Sequence, residues 1–456
     1  MPTYAFETIT PEQALGIQPT DTVTVSSGTA SQTTVIFDPN ERVIITIGTR
    51  SVTFGSMVNQ VATLPNGAFT YADGSILYIG DGVGNTQILP SPATGAVYGG
   101  GGDDVIRGGE GSWLVQGNQG GDTIELRAGN NTVYGGQDGD RITFSNAFGV
   151  GGGNNFGQGN KGEDVLVGST TADTLLGGQG DDTVQGVNGM DFLDGNLGND
   201  SITGSGQILG EGGDDTIVTG FDFASTVSGG DGNDKIVIGF ADVGGVRHAV
   251  LVPVSGDGGD DTIQSTNPIS ETLAGGAGND SITTTGNDAT SRDVLDGGDG
   301  DDRLMASGSG GNVLLGGGGD DTIEGGAGAD TLDAGAGADT LQGGMGADLF
   351  VLNASTVGIA ITPTVSDRIL DWSSADHIQL RTPGAPGYTE MTTVDGFPAA
   401  LTLAQNLIAG GTVEVVAVQI GPDVVIFADG TAANTVDTAT LLIGRTLADI
   451  SASNFV

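Results

Sequence analysis

Gly159 to Thr203 reads GNKGEDVLV, GSTTADTLL, GGQGDDTVQ, GVNGMDFLD, GNLGNDSIT, five nonapeptides in unbroken succession. Their sixth residues are Asp164, Asp173, Asp182, Asp191 and Asp200, and the eighth is always apolar: Leu166, Leu175, Val184, Leu193 and Ile202. A second run, GGGGDDTIE, GGAGADTLD, AGAGADTLQ, GGMGADLFV, covers Gly316 to Val351 and puts Asp321, Asp330, Asp339 and Asp348 in the sixth place. Separate copies put Asp104, Asp122, Asp140, Asp215, Asp234, Asp261, Asp280 and Asp302 there too.

Each place in GGxGxDxUx has a physical reason. Glycines allow the positive-φ geometry of a tight turn, the aspartate brings a carboxylate to its end, and xUx is a short strand with only U facing inward. Two such turns close one rung of a coil. Stacked rungs form parallel strands whose U residues fill a narrow core, while carboxylates and turn carbonyls stack along the edges. The predicted fold class is therefore all-β, a parallel β-roll of the β-helix or solenoid type. Its edges are rows of hard oxygen ligands, which suit calcium with its six to eight oxygens and tolerant geometry better than magnesium or zinc.

The nonapeptide resembles the calcium-binding repeat of the RTX family, over about residues 97 to 351. The resemblance implies a calcium-loaded parallel β-roll with many Ca2+ ions. The seventeen sixth-place aspartates are the expected metal ligands.

Between Gly210 and Asp321 the turns GEGGDD, GGDGND, GDGGDD, GGAGND, GGDGDD and GGGGDD are separated by 19, 27, 19, 22 and 19 residues, against 18 for a complete rung. Each interval returns through an apolar dipeptide: Val227-Ser228, Val254-Ser255, Leu273-Ala274, Leu295-Asp296, Leu314-Leu315. One edge is expected to keep its calcium turns and the other to carry variable loops near 219–226, 238–253, 265–272, 284–294 and 306–313. Those loops hold Phe221, Phe223, Phe240 and Ala249-Val250-Leu251-Val252, which either tuck back onto the roll or form a contact surface. Trp113 and Asn131 stand where Asp is expected and read as missing ligands.

The expected division is an N-terminal β cap at 1–96, the roll at 97–351 and a C-terminal β cap at 352–456. Thr10 to Gly16 reads as a short helix with a threonine N-cap, proline in the first turn and a terminating glycine. Strand patterns follow in DTVTVSS, TTVIFD, RVIITIGTRSVTFG and SILYIGDG. After the roll, Asp367-Arg368-Ile369-Leu370-Asp371-Trp372 and Asp376-His377-Ile378-Gln379-Leu380 resemble the segment behind the repeats of serralysin-type secreted proteins, with His377 where an acid is common. Two strands, about Thr412 to Ile420 and Val424 to Ala428, come next. The last stretch, LLIGRTLADISASNFV, resembles the uncleaved signal of type I secretion substrates. No basic, apolar leader follows Met1, so export by a signal peptide is not expected.

The chain has 456 residues with 85 glycines, and 57 acids against 13 bases give a formal charge of -44. That charge excludes nucleic acid as a main partner, and no apolar run is long enough to span a bilayer. Cysteine is absent, so no disulfide or thiolate site is available. Neither HExxH nor GxSxG occurs, and His248 and His377 are the only histidines. Carboxylates alone could serve a carbohydrate-active enzyme, but the N-terminal cap is small for such a site. The expectation is a non-enzymatic, secreted protein, extracellular or at the cell surface, which assembles with calcium into a surface layer, filament or matrix as RTX surface-layer proteins do. Expected partners are further copies of itself, the type I secretion machinery and cell-surface polysaccharide or lipopolysaccharide. The alternatives are a monomeric adhesin or glycan-binding protein and an accessory calcium-binding fragment for an enzyme.

Overall fold

The computed structural model describes residues 2–18, 21–37, 42–55, 69–144, 152–219, 225–239, 253–285, 291–352, 366–380, 387–391, 396–429 and 434–456. The chain divides into two compact units, Met1–Ser225 and Thr226–Val456.

In the first unit the helix forms where the sequence places it. Helix α1, Pro11–Leu15, has Thr10 as N-cap in a reciprocal capping box with Gln13, and Gly16 ends it. Thr33–Phe37, Val43–Ile47 and Arg50–Phe54 form an antiparallel sheet. Its inner residues join Phe6, Ile17 and Phe69 in one apolar cluster. Arg50 ties the N-terminal segment down by donating to the carbonyls of Phe6 (2.9 Å) and Ile9 (2.7 Å). The Tyr98 hydroxyl donates to the Thr33 carbonyl, joining this sheet to the first rung.

Behind it the chain alternates between two parallel sheets. The wide sheet contains Gly95–Gly100, Trp113–Gln119, Thr132–Gln137, Phe156–Lys161, Thr174–Gln179, Asp191–Leu197 and Gly206–Gly212. The narrow sheet begins at Thr86–Ile88 and runs to Thr216–Thr219. Register follows the U residues: Ile106, Ile124, Ile142, Leu166, Val184, Ile202 and Ile217 lie side by side in the narrow sheet, and all are buried. Each such side chain taken from water contributes about 1.5–3 kcal/mol, and over many rungs this offsets the backbone entropy of a glycine-rich chain. The wide-sheet row has one gap, at Gly157, which the Phe144 ring fills so closely that a Cβ on Gly157 would lie 2.9 Å from it.

The second unit repeats the plan. Val227, Val254, Leu273, Leu295, Leu314, Leu332, Phe350 and Ile378 pair in succession in its wide sheet. The five apolar dipeptides therefore return to register across the irregular intervals. Its C-terminal part differs from expectation. Besides Val415–Ile420 and Asp423–Ala428 there is a 12-residue helix, α2 (Phe397–Ile408), which buries Phe397, Ala400, Ala404 and Ile408 against Val416, Val418, Val425 and Phe427. Its apolar residues recur at helical spacing with Pro398 in the first turn, a signal present in the sequence but not read from it.

The last residues are part of this unit. Thr438–Leu442 pairs in parallel with Asp367–Ile369. Ile450 and Phe455 are buried, the Trp372 indole donates to the Asp449 carbonyl (3.2 Å), and the Asn454 amide donates to the Asp376 carbonyl (2.8 Å). The stretch resembling a secretion signal thus covers the last rung. Phe221, Phe223, Phe240, His248 and Ala249 to Val252 lie outside the described residues.

Candidate metal centre

The sixth-place aspartates fall on two edges. The first edge, where the wide sheet turns into the narrow one, holds Asp104, Asp122, Asp140, Asp164, Asp182, Asp200 and Asp215 in the first unit, and Asp234, Asp261, Asp280, Asp302, Asp321 and Asp339 in the second. On the return edge stand Asp173 and Asp191 in one unit and Asp330 and Asp348 in the other.

On the first edge one hydrogen bond repeats from rung to rung. The amide of each aspartate donates to Oδ1 of the next: Asp104 to Asp122, Asp122 to Asp140, Asp140 to Asp164, Asp164 to Asp182, Asp182 to Asp200 and Asp200 to Asp215, all at 2.7–2.8 Å. In the second unit Asp234, Asp261, Asp280, Asp302, Asp321 and Asp339 form the same chain, and it ends on Asp367 (3.2 Å).

This leaves the other carboxylate oxygen. Oδ2 of Asp104, Asp122, Asp140, Asp164, Asp182, Asp200, Asp261, Asp280, Asp302, Asp321 and Asp339 on the first edge, and of Asp191 and Asp330 on the return edge, is buried and accepts no hydrogen bond. Except at Asp339, whose turn begins with Ala334, it faces the first glycine of its own turn. A Cβ on Gly117 would collide with Asp122 Oδ2 and with the carbonyl oxygen of Gly135 on the next rung, and Gly256 stands in the same relation to Asp261 and Gly275. A carboxylate oxygen and a main-chain carbonyl thus converge where no side chain fits. The fourth glycine is needed for a different reason: Gly120 has φ +101°, a region closed to most L-residues.

Burial pushes these carboxyls up, to about 6 for Asp104, Asp164 and Asp280, about 7 for Asp122, Asp182 and Asp321 and about 8 for Asp140. Desolvation is the largest cause in each. For Asp140 the charges of Asp122, Asp164 and Asp138 add to it. An unpaired buried carboxylate beside a carbonyl is stable only with a proton or a cation between them. The donor set fits a hard, oxygen-seeking cation. Among the described residues no three His, Asp or Glu side chains gather at one point, so main-chain carbonyls have to supply much of any coordination.

The return edge is less regular. Trp113 occupies a sixth place with no carboxylate, and its amide donates to Asn131 Oδ1 (3.1 Å); the row continues through Asn155 and Asp173 to Asp191. Asp173 differs from its neighbours because the Ser169 amide (2.6 Å) and hydroxyl (2.9 Å) both donate to its Oδ2. In the second unit Glu271, Asp293 and Asn312 carry the row to Asp330 and Asp348, and Asp376 closes it. Sequence reasoning missed Asn155 and Asn312, which end glycine turns but carry no carboxylate, and Glu271, Asp293, Asp367 and Asp376, whose turns lack the glycine pattern. The apolar residue two places on (Leu273, Leu295, Leu314) was the available signal. His377 sits beside the row in the strand His377–Leu380, and its amide donates to the Asp348 carbonyl (2.8 Å).

A second row, also missed, runs through the fifth places in the opposite sense. Asp301 donates its amide to Asn279 Oδ1 and accepts on its own Oδ1 from the Asp320 amide, both at 2.7 Å. Each turn is thus held from both sides.

The sequence matches the family RTX calcium-binding nonapeptide repeat (4 copies) at residues 97–112, 114–145, 150–184, 185–207, 265–304, 288–314, 306–341 and 315–350. The chain carries RTX repeats. The RTX turns described above fall largely inside these segments. A search of curated proteins finds no match. Among solved structures the chain shows a likeness to the extracellular lipase LipA from Serratia marcescens, at 14% identity and a TM-score of 0.12, covering 65% of this chain and 40% of the lipase. The overlap thus spans less than half of the lipase's length, and at that score it carries no structural argument.

Proposed function

We propose that this is a secreted, non-enzymatic calcium-binding protein of the bacterial cell surface, which folds in extracellular calcium and self-assembles there as a surface layer, filament or matrix. The observation that carries the calcium part is the repeated pairing of an unpartnered Oδ2 with a glycine carbonyl of the next rung. In this reading the sixth-place aspartates other than Asp173, whose Oδ2 is taken by Ser169, are the ligands, together with Asp367 and Asp376. Bound calcium supplies positive charge between rungs, and its binding free energy becomes folding free energy. The repeats extend through most of the chain, which favours a structural role with 1–96 and 352–456 as caps on the roll.

No described helix is long and apolar enough to cross a membrane. A charge of -44 opposes association until cations neutralise it, so assembly is expected to need calcium as well. We assign export to the type I machinery, read from the C-terminal stretch, and cell-surface polysaccharide or lipopolysaccharide as the anchoring partner. Light scattering with and without millimolar calcium tests assembly: large species only with calcium are expected, and a monomer in both conditions overturns self-assembly.

One observation favours the second reading, a monomeric glycan-binding protein. A groove of about 1030 Å³ beside the wide sheet of the first unit is lined by Gln116, Asn118, Gln137, Asn160, Tyr134 and Phe37. Amides and aromatic rings of this kind suit a neutral saccharide.

A further inference from the structure

The return edge of the second unit contains a turn built without glycine, Ser265-Thr266-Asn267-Pro268-Ile269-Ser270-Glu271. Beneath it the core changes character. The inward position at the end of successive narrow-sheet strands is Ile238, then Ser265, then Thr284, then Ala306, all at most 2% exposed. Two hydroxyls therefore replace hydrocarbon on the two rungs that Glu271 and Asp293 serve. Glu271 is 1% exposed and Asn267 8%.

The hydrogen bonds show what is left over. Asn267 donates its amide to Glu271 Oε1 (2.8 Å), and its backbone N–H donates to the Ser265 hydroxyl (3.1 Å). Glu271 donates its own N–H to Asp293 Oδ1 (3.1 Å), which keeps it in the sixth-place row. Three buried oxygens then have no partner: Asn267 Oδ1, Glu271 Oε2 and Thr284 Oγ1. Arg292, the nearest base in sequence, is exposed and so does not neutralise Glu271. The Glu271 carboxyl is held by the Asn267 amide and the Ser265 hydroxyl but faces no base, and leaving its second oxygen and two further oxygens bare in a dry core costs several kcal/mol unless something positive joins them.

We propose that Asn267, Glu271 and Thr284 hold a divalent cation, calcium by the chemistry of an all-oxygen, single-carboxylate donor set, in a site that needs no glycine turn. Side-chain oxygens here replace the turn carbonyls of the nonapeptide. The inference rests on the calcium-binding reading of the repeats and adds to it a site on the loop-bearing edge.

Counting calcium ions on the full chain by native mass spectrometry tests it. Glu271→Gln is expected to bind one ion fewer than the unsubstituted protein, and Asp261→Asn, in a glycine turn, serves as the control for the repeats. An unchanged count in Glu271→Gln overturns the site, whereas no calcium on the unsubstituted chain overturns the reading of the repeats instead. Should Glu271→Gln fail to fold, anomalous scattering from crystals of the unsubstituted protein grown in calcium decides the matter. A peak beside Glu271 Oε2 and Asn267 Oδ1 is expected, and its absence overturns the proposal.

Discussion

The two edges of the roll are built from the same chain and the same strands, yet one is uniform and the other is not. On the first edge Asp122 to Asp215 in one unit and Asp261 to Asp339 in the other present a carboxylate in one setting, with Oδ1 bound to the preceding amide. On the return edge the sixth place holds Trp113, Asn131, Asn155, Asp173 and Asp191 in one unit and Glu271, Asp293, Asn312, Asp330 and Asp348 in the other. Asn keeps the oxygen that accepts the amide but brings no charge, and Trp113 keeps neither. The rung-to-rung hydrogen bond is therefore needed for the fold on both edges, whereas the charge is concentrated on the first.

Removing calcium is the harshest way to break this comparison. Successive carboxylates lie one strand spacing apart, about 4.8 Å, where each like-charged pair costs about 1 kcal/mol even in water. In chelator the β signal in circular dichroism should be lost, and hydrogen exchange at intermediate chelator should open the amides of Asp122 to Asp200 before those of Asn131 and Asn155. A chain with the same β signal and melting temperature in chelator and in millimolar calcium would sink the calcium reading.

Single carboxylates come next. Asp182→Ala removes a carboxylate with an unpartnered Oδ2, while Asp173→Ala removes one already satisfied by Ser169. Both lose the amide acceptor, worth about 1 kcal/mol or somewhat more when buried. Only Asp182→Ala should also raise the calcium midpoint of folding several-fold. Equal midpoints for the two variants would mean that the edges do not differ in metal binding.

The acid side sharpens the same point with a smaller effect. The first-edge carboxyls have folded values raised from 3.8 to about 6–8, so between pH 4 and 8 the metal-free folded state binds more protons than the unfolded chain. Stability without calcium must then rise as the pH falls through that window and fall as it rises. Chelated protein should gain β signal between pH 8 and 5, because a proton on Oδ2 can be donated to the facing carbonyl. Loss of β signal on acidification in chelator would contradict this.

The smallest expected effect belongs to the exposed fifth-place row. Asp301→Ala breaks one hydrogen bond and should cost about 1 kcal/mol with no change in calcium stoichiometry. A lost ion on titration would move Asp301 into the metal site.

How much of this was legible in the sequence depends on the edge. The first-edge aspartates and the inward rows were readable because glycines mark each turn and the period sets the strand register. Even the irregular intervals could be placed, since Val254, Leu273, Leu295 and Leu314 announce the return to the core. Glu271 and Asp293 were not readable, because a turn without glycine leaves no local mark, and Asn312 has its glycines but no carboxylate; the role of each is defined by a neighbour 18–22 residues away. The helix Phe397–Ile408 was missed although its apolar spacing was visible, and the fifth-place row, with Asn and Asp mixed, has no fixed residue to mark it. The folding of the C-terminal residues onto the last rung rests on contacts 77–80 residues apart, which no local pattern encodes.

The spacing of the first-edge carboxylates has a consequence for how such a chain can change length. Successive rungs differ by 18, 24, 18, 18 and 15 residues from Asp122 to Asp215, and by 27, 19, 22, 19 and 18 from Asp234 to Asp339. Throughout, the turn leading to the carboxylate keeps its own length. Insertions and deletions are absorbed on the return edge without disturbing a hydrogen bond on the other, as the pages of a book may vary along the fore-edge while the spine stays sewn. A foreign peptide inserted in a return-edge loop that holds no ligand would tax only its own rung, whereas a single residue added between Gly256 and Asp261 would throw the carboxylate out of line with both neighbours. The roll is thus a ready-made display scaffold with one writable margin.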